Sequence, residues 1–230
     1  MCISFLNGTL SAAALSVAFV VGAPSEQRDE TASISGHVKL TRVRGVPVSS
    51  NVYQPRVIGE RGDPPPEIKN VVVYLKRPAY RGLLPVSKAA IGQEREEFVP
   101  RVTVVTRGST VEFPNADPIF HNVFSLSGAA TFDLGRYPKG QSRSMLVSKP
   151  GLIKVYCHIH SHMSASILVL DHPYFAIPNL DGSFTLPAIP PGTQTVVGWH
   201  ERVGERSTTI DVQPGRVASL EMVLPVEDTQ

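Results

Sequence analysis

The sequence predicts an all-β protein that contains two small β-sandwiches. Short apolar runs rich in β-branched residues recur along the chain, and several of them alternate between apolar and polar residues. The 20 prolines and 18 glycines lie mainly between these runs, as the turns of a sandwich require. No segment has a sustained helical period with capping residues.

Each predicted strand is one of these runs. In chain order they are SISGHVKL, VVVYLK, RVTVV, TVEF, HNVFSL, SRSMLV, LIKVYC, SASILVL, SFTL, TQTVVGW, STTIDV and ASLEMVL. Ser49 to Glu67, which contains VIGERGDPPPE, is predicted to be a loop or an insertion. We expect the larger domain to be an antiparallel β-sandwich.

Length and charge exclude several classes of protein. A chain of 230 residues with 42% hydrophobic residues is long enough for one or two packed domains. Its formal net charge of +2 is spread without long runs, so neither nucleic-acid binding nor a polybasic membrane patch is expected.

The N-terminus predicts export. The apolar run LSAAALSVAFVVG, residues 10–22, is followed by a polar stretch and is too short to span a bilayer. We therefore interpret residues 1–27 as a signal peptide and expect a periplasmic or secreted protein, with no membrane span in the mature chain. Removal of the signal also removes Cys2, which leaves Cys157 without a partner for an internal disulfide.

A change in composition near Asp171 predicts a domain boundary. We assign residues 30–172 to a first domain with N-terminal extension strands and residues 173–230 to a second domain, which has turn signals at Asp181-Gly182 and Pro191-Gly192. The second domain is expected to pack on the first without a metal site of its own. Its histidine, His200, is expected to lie on the surface.

The stretch KVYCHIHSHM, residues 154–163, predicts a metal site. Residues 157–163 form the turn between two predicted strands, and Cys157, His160 and Met163 follow one another at intervals of three. A compact turn with this spacing can present a thiolate, an imidazole and a thioether to one ion. Two histidines and a cysteine with a weak axial methionine are typical of electron-transfer copper sites.

The second histidine is predicted to come from TVEFPNADPIFHNVFSLS, where His121 begins a strand after a loop. A lone strand histidine is more often a core residue, but the cluster at residues 157–163 favours a ligand. Glu112 and Asp117 precede His121, and as acidic residues in this region they are expected to be solvated.

Residues 98–170 resemble the cupredoxins, the plastocyanin- and amicyanin-like small blue copper proteins. FVPRVTVVTRGSTVEFPN resembles the strand pair before the first ligand, FHNVFS the ligand histidine and its neighbour, and KVYCHIHSHM the short Cys-x2-His-x2-Met loop. The resemblance implies a Greek-key β-sandwich with one type 1 copper. It implies His121, Cys157 and His160 as equatorial ligands, Met163 as the axial ligand, and Asn122 as the outer residue that ties the two ligand loops together.

Two further resemblances concern the whole chain. FPN-x-DP-x-x-HNVFS and C-x-IH-x-x-M-x-A-x-I are similar to patterns of plastocyanin-like proteins associated with methylamine utilisation. DGSFTLPAIPPGTQTVVGWHE resembles the carboxypeptidase regulatory-like, transthyretin-related domain. The N-terminal segments SISGHVKL and NVVVYLK also suit the first strands of such a domain. The cupredoxin resemblance implies a one-electron carrier that exchanges electrons with a redox partner protein not identified by the sequence, and the C-terminal resemblance implies no catalysis, so an enzyme is not expected.

Several alternatives remain open at the sequence level. His158 or His162 can replace Met163 as a ligand or bind a second ion. A structural or storage module for copper or zinc is also compatible with a Cys/His cluster, although methionine is a poor zinc ligand. A metalloenzyme needs an open coordination position and a placed acid or base. A Cys-His nucleophile is disfavoured because no glycine-rich oxyanion turn accompanies Cys157.

Overall fold

The computed structural model describes Met1 and residues 31–43 and 66–227, and in these residues the chain is all-β, as predicted. Strands alternate with turns, and the described part contains one short 3-10 helix, Glu67–Asn70, and no helix long and apolar enough to cross a membrane. The predicted signal peptide, residues 1–27, lies outside the described residues apart from Met1. Most of the predicted loop at residues 49–67 also lies outside them.

The strands between residues 88 and 170 form one unit, called here the central unit. They are β3 (Lys88–Ala90), β4 (Gly92–Glu94), β5 (Glu97–Val99), β6 (Val102–Thr106), β7 (Thr110–Pro114), β8 (His121–Ser127), β9 (Ala130–Tyr137), β10 (Ser142–Leu146), β11 (Gly151–Tyr156) and β12 (Ser164–Leu170). A five-stranded sheet has the order β6-β12-β11-β8-β9, a three-stranded sheet the order β10-β7-β3, and β4 and β5 form a hairpin. Apolar side chains from all three sheets pack into one core.

The expectation of an antiparallel sandwich holds for most strand pairs of this unit but is wrong for two of them. β6 pairs parallel with β12, and β3 pairs parallel with β7. Strands that lie far apart in sequence meet at the sheet edges, where no hairpin connects them and a parallel arrangement is possible. The remaining pairs, including β8 with β11, are antiparallel.

A second unit, called here the flanking unit, contains the strands on either side of the central unit in sequence. They are β1 (Ala32–Val43), β2 (Val71–Leu75), β13 (Phe175–Ala176), β14 (Ser183–Ile189), β15 (Gly192–His200), β16 (Gly204–Val212) and β17 (Val217–Glu227). Their two sheets have the orders β14-β1-β17 and β13-β2-β15-β16. A separate apolar core lies between these sheets.

The N-terminal strands pair with strands from the C-terminal region. β1 pairs antiparallel with β14 and parallel with β17, and β2 pairs antiparallel with β13 and β15. The central unit is therefore inserted between β2 and β13 of the flanking unit. The domain limits at residues 30–172 and 173–230 stay a prediction, but the two N-terminal strands contribute to the sheets of the C-terminal region.

The two units share an apolar interface. The β2 residues Val71, Val73 and Leu75 point into the flanking core, and Val72 and Tyr74 point the other way. The second set packs with residues of β6, β12 and β15, which are Val102, Leu168, Leu170, Val197 and Trp199. Burial on both faces accounts for the unbroken apolar run VVVYL, because a strand with one solvated face alternates instead.

The expectation that His200 lies on the surface is wrong. His200 is 1% exposed, and its Nε2 atom lies 2.8 Å from the Glu67 carboxylate. Its strand, β15, lies between β2 and β16 inside a sheet. The sequence neighbours of His200 did not indicate that it would lie on an internal strand with its imidazole buried.

Replacement of Gly36 by alanine tests the pairing of β1 with β17. A Cβ atom at Gly36 would overlap the backbone carbonyl of Leu220 on the paired strand, so the strands must separate. We expect Gly36→Ala to destabilise the protein by about 1–3 kcal/mol, measured by urea denaturation. The matched control is Gly128→Ala, where nothing lies within 4 Å of the added atom. Equal stability of the two variants would contradict the β1–β17 pairing.

Candidate metal centre

The register of β8 and β11 brings the first two predicted ligands together. Tyr156 pairs with Phe124, and the two strands run antiparallel, so the chain after Tyr156 passes beside the start of β8. Inward-facing residues alternate along each strand, which places His121 and Cys157 at the same end of the core. His121 is 0% exposed and Cys157 is 3% exposed.

A β-bulge beside this end positions Asn122. The pairing of β8 with β9 shifts after Asn122, and Gly135 on β9 has a φ of +73°, a conformation that suits glycine. The Asp133 carboxylate accepts hydrogen bonds from the Gly135 N–H at 2.9 Å and from Asn122 Nδ2 at 2.6 Å. Asn122 Oδ1 then accepts a hydrogen bond from the backbone N–H of His158 at 3.2 Å. The Asn122 side chain thus links β8 to the loop of residues 157–163.

The loop itself is closed by backbone hydrogen bonds. The Met163 N–H donates to the His160 carbonyl at 3.0 Å, and the Cys157 N–H donates to the Met163 carbonyl at 3.4 Å. Met163 is 1% exposed and packs in the same core cluster as Cys157. The loop therefore starts and ends in the core, and the residues between approach the surface.

Three donor atoms converge at this end of the central unit. The Nδ1 atoms of His121 and His160 are 3.1 Å apart, and Cys157 Sγ lies 4.0 Å from the first and 3.8 Å from the second. All three donors lie within 4.8 Å of one another, and in the described part of the chain no other group of three such residues does so. The structure thus brings together the three side chains that the sequence predicts as equatorial ligands.

The triangle of donor atoms has the size of a metal coordination shell. The point equidistant from the three atoms lies about 2.1 Å from each, while protein-bound zinc lies about 2.0–2.1 Å from histidine nitrogen and about 2.3 Å from thiolate sulfur. A first-row transition metal therefore fits between the donors with only small movements of the side chains.

The environment of the sulfur favours its ionised form. Burial raises the pKa of Cys157, but a hydrogen bond with His121 and backbone hydrogen bonds from Asn122, His160 and Ile159 lower it by more, to about 6. For His121 the directions are reversed: burial lowers the pKa of the imidazole, and hydrogen bonds with Cys157 and Asp117 raise this pKa by more. The thiolate is the form of cysteine that binds metals.

Asp117 is a residue of this site that the sequence analysis did not assign. It is 6% exposed, and its Oδ2 atom accepts a hydrogen bond from His121 Nε2 at 2.7 Å. Asn115 builds the loop that holds it, because Asn115 Oδ1 accepts from the Asp117 N–H and Asn115 Nδ2 donates to the Ile119 carbonyl. The expectation that Asp117 is solvated is wrong. The spacing Asp-x3-His after an asparagine was the sequence feature that could have indicated an acid paired with His121.

His158 and His162 lie outside the donor group. The His158 ring stacks on Phe124 with centroids 3.7 Å apart, and more than half of its side chain is exposed. His162 Nε2 lies 3.5 Å from the carboxylate of Glu96, and its ring centroid is 6.2 Å from that of His160. Neither imidazole joins the three donors within 4.8 Å.

Comparisons with known proteins give structural similarities only. No protein-family model matches the chain, and no curated protein matches it. Part of the chain is similar to a Cu(I) form of an amicyanin mutant, with 20% identity over 36% of this chain and 82% of that chain and a TM-score of 0.34. A reduced amicyanin mutant at pH 4 gives 21% identity over the same shares and the same TM-score. A purple cupredoxin from Nitrosopumilus maritimus gives 20% identity over 36% of this chain and 99% of that chain, with a TM-score of 0.33.

Proposed function

We propose that this protein binds one copper ion and carries one electron at a time. The observation that carries the proposal is the convergence of His121 Nδ1, Cys157 Sγ and His160 Nδ1 on a point about 2.1 Å from each, which is close to typical metal–ligand distances. These three side chains are the equatorial ligands in the proposal. Bound copper supplies a one-electron couple between Cu(I) and Cu(II).

The chemistry of the donors favours copper over other metals. A thiolate and two imidazoles in a trigonal set with a weak thioether are typical of type 1 copper. In the proposal Met163, which is buried in the same core cluster as Cys157, supplies the thioether. Zinc prefers four strong donors in a tetrahedron. In the described part of the chain, the group of donor side chains contains three.

The surroundings of the donors support a role in electron transfer. His121 is held by Asp117, and the loop that carries Cys157 and His160 is tied to β8 through Asn122. Side chains held in this way keep the same positions when the charge of the ion changes. A small structural change on oxidation and reduction is what fast electron exchange requires.

The partly exposed side of the site provides a route for electrons and a docking surface. His160 is the more accessible imidazole, as expected from its place on the loop, whereas His121 is 0% exposed. Phe120 and Ile159, which neighbour these histidines in sequence, are 56% and 40% exposed. In the proposal a redox partner protein covers this apolar surface and exchanges electrons through His160.

Catalysis is not part of the proposal. A metalloenzyme needs an acid or base that can reach a substrate. Asp117, the buried acid beside His121, has its carboxylate engaged by His121 and by the backbone of Arg95 and Glu96. This carboxylate is placed to hold an imidazole rather than to move a proton.

Export and the flanking unit complete the proposal. The protein acts in the periplasm or outside the cell, because residues 1–27 have the composition of a signal peptide. The flanking unit, with its resemblance to carboxypeptidase regulatory-like domains, acts as a scaffold. The apolar contacts of Trp199 and Val197 with the central unit support this role.

Replacement of Cys157 by serine tests the proposed metal site. Copper(II)-loaded protein should have an intense visible charge-transfer band, and Cys157→Ser should lose it because the band requires the thiolate. His158→Ala, the matched control in the same loop but outside the donor group, should keep the band. Visible and electron paramagnetic resonance spectra measure both. A colourless wild-type protein that prefers zinc would instead indicate a structural metal module, and a band retained in Cys157→Ser would refute the site.

Replacement of Met163 by leucine tests the axial ligand. Leucine keeps the volume of methionine, so copper binding and colour should persist while the reduction potential changes, because a weak axial donor tunes the potential. His162→Ala should leave the potential nearly unchanged, since its ring faces Glu96. Protein-film voltammetry should give a reversible one-electron wave for each variant. A shift in His162→Ala with none in Met163→Leu would assign the axial position to His162.

A further inference from the structure

The Asp117 carboxylate accepts hydrogen bonds from three different groups. Its Oδ2 atom accepts from His121 Nε2 at 2.7 Å and from the Glu96 N–H at 2.8 Å, and its Oδ1 atom accepts from the Arg95 N–H. The residue is 6% exposed. A buried carboxylate with three donors and almost no solvent contact has a fixed position.

An ionised carboxylate only accepts hydrogen bonds, so the neighbouring imidazole nitrogen must carry a proton. Nε2 of His121 therefore keeps its hydrogen, and the ring is oriented with Nδ1 toward Cys157 and His160. Nδ1 is then the atom that is free to bind a metal. Cys157 and His160 both lie at Nδ1, so without the carboxylate Nε2 loses the partner that holds its proton.

We propose that Asp117 is a positioning residue that holds His121 with Nδ1 toward the metal and makes the site favour Cu(II) over Cu(I). The inference rests on the proposed copper function. Its second half follows from charge, because a buried anion next to a ligand imidazole strengthens that ligand and stabilises the more highly charged ion. Low solvent exposure keeps this interaction from being screened.

The β4–β5 hairpin holds Asp117 in place. Arg95 and Glu96 form its turn with φ angles of +53° and +59°, a conformation that costs non-glycine residues about 1–2 kcal/mol each. The carboxylate receives both of their N–H groups, which offsets part of that cost. The Oε2 atom of Glu96 also lies 3.5 Å from Nε2 of His162. The same turn therefore contacts both the segment that contains Asp117 and His121 and the loop of residues 157–163.

Asparagine at position 117 is the informative replacement because it has nearly the same shape without the charge. Its amide offers one accepting oxygen and one donating nitrogen, whereas the site presents donors to both positions. In one orientation the amide nitrogen opposes the Arg95 N–H. In the other it faces Glu96 and His121, and the imidazole must then accept at Nε2 and carry its proton on Nδ1, which blocks metal binding.

The test compares Asp117→Asn with Glu97→Gln in the full chain. Glu97 lies on the same hairpin but is exposed, so its replacement removes an equal charge without touching His121. Loss of an outer-shell partner typically lowers metal affinity about 10–100-fold. We expect the ratio of Cu(II) to Cu(I) affinity to fall about tenfold or more in Asp117→Asn, which raises the reduction potential by about 59 mV for each factor of ten. Glu97→Gln should resemble the wild type.

A measurement on the copper-free wild-type protein completes the test and does not depend on the variant folding. Nitrogen-15 spectra of labelled histidine should show a slowly exchanging Nε2 proton on His121 at neutral pH. An unprotonated Nε2 would overturn the inference, as would a wild-type potential in a folded, copper-binding Asp117→Asn variant. Failure of the wild type to bind copper would instead refute the proposed function, and the Nε2 proton would still report whether Asp117 orients the ring.

Discussion

The candidate site depends on the antiparallel register between β8 and β11. With Tyr156 opposite Phe124, Cys157 continues the inward-facing series of β11, and His121 begins that of β8. A shift of one residue would turn either side chain to the opposite face of the sheet. The apolar residues of the same inward-facing series, such as Val123, Ile153 and Val155, fill the core and hold this register, so the same packing that stabilises the sandwich sets the donor triangle.

Burial of polar donors at the end of a core requires partners for their remaining hydrogen-bonding atoms. Nε2 of His121 is satisfied by Asp117, and the loop backbone at His158 is satisfied by Asn122. These partners are themselves held, Asp117 by a hairpin turn and Asn122 by Asp133 on a bulged strand. The polar residues around the donors therefore form a supporting shell, which keeps the donors in place more firmly than an isolated loop would.

Most strands and the donors Cys157 and His160 were predictable from local patterns in the sequence, whereas His121, 36 residues before Cys157, was predicted as a ligand only in combination with that loop. Apolar runs and turn residues mark strands, and the spacing of Cys157, His160 and Met163 is visible in one loop. β9 was missed because it is an edge strand with an exposed face that contains Asp133 and Gly135, residues depleted in strands.

Features that depend on distant contacts were not predictable in the same way. In the sequence Asp117 resembles an ordinary loop acid, and only the fold places the β4–β5 hairpin over it. His200 likewise resembles a surface residue in the sequence, although its strand lies inside a sheet and its side chain is buried. The pairing of β1 with β17 joins strands from opposite ends of the chain. Neither composition nor periodicity contains such a pairing.

The most direct test of a preformed three-donor copper site is X-ray absorption at the copper K-edge in both oxidation states. The account predicts one sulfur and two imidazole nitrogens at short distance in Cu(II) and in Cu(I) protein, with nearly unchanged bond lengths, because Asp117 and Asn122 hold the elements that carry His121, Cys157 and His160. A spectrum without a sulfur neighbour would contradict the account. Loss or gain of a ligand on reduction would contradict it equally.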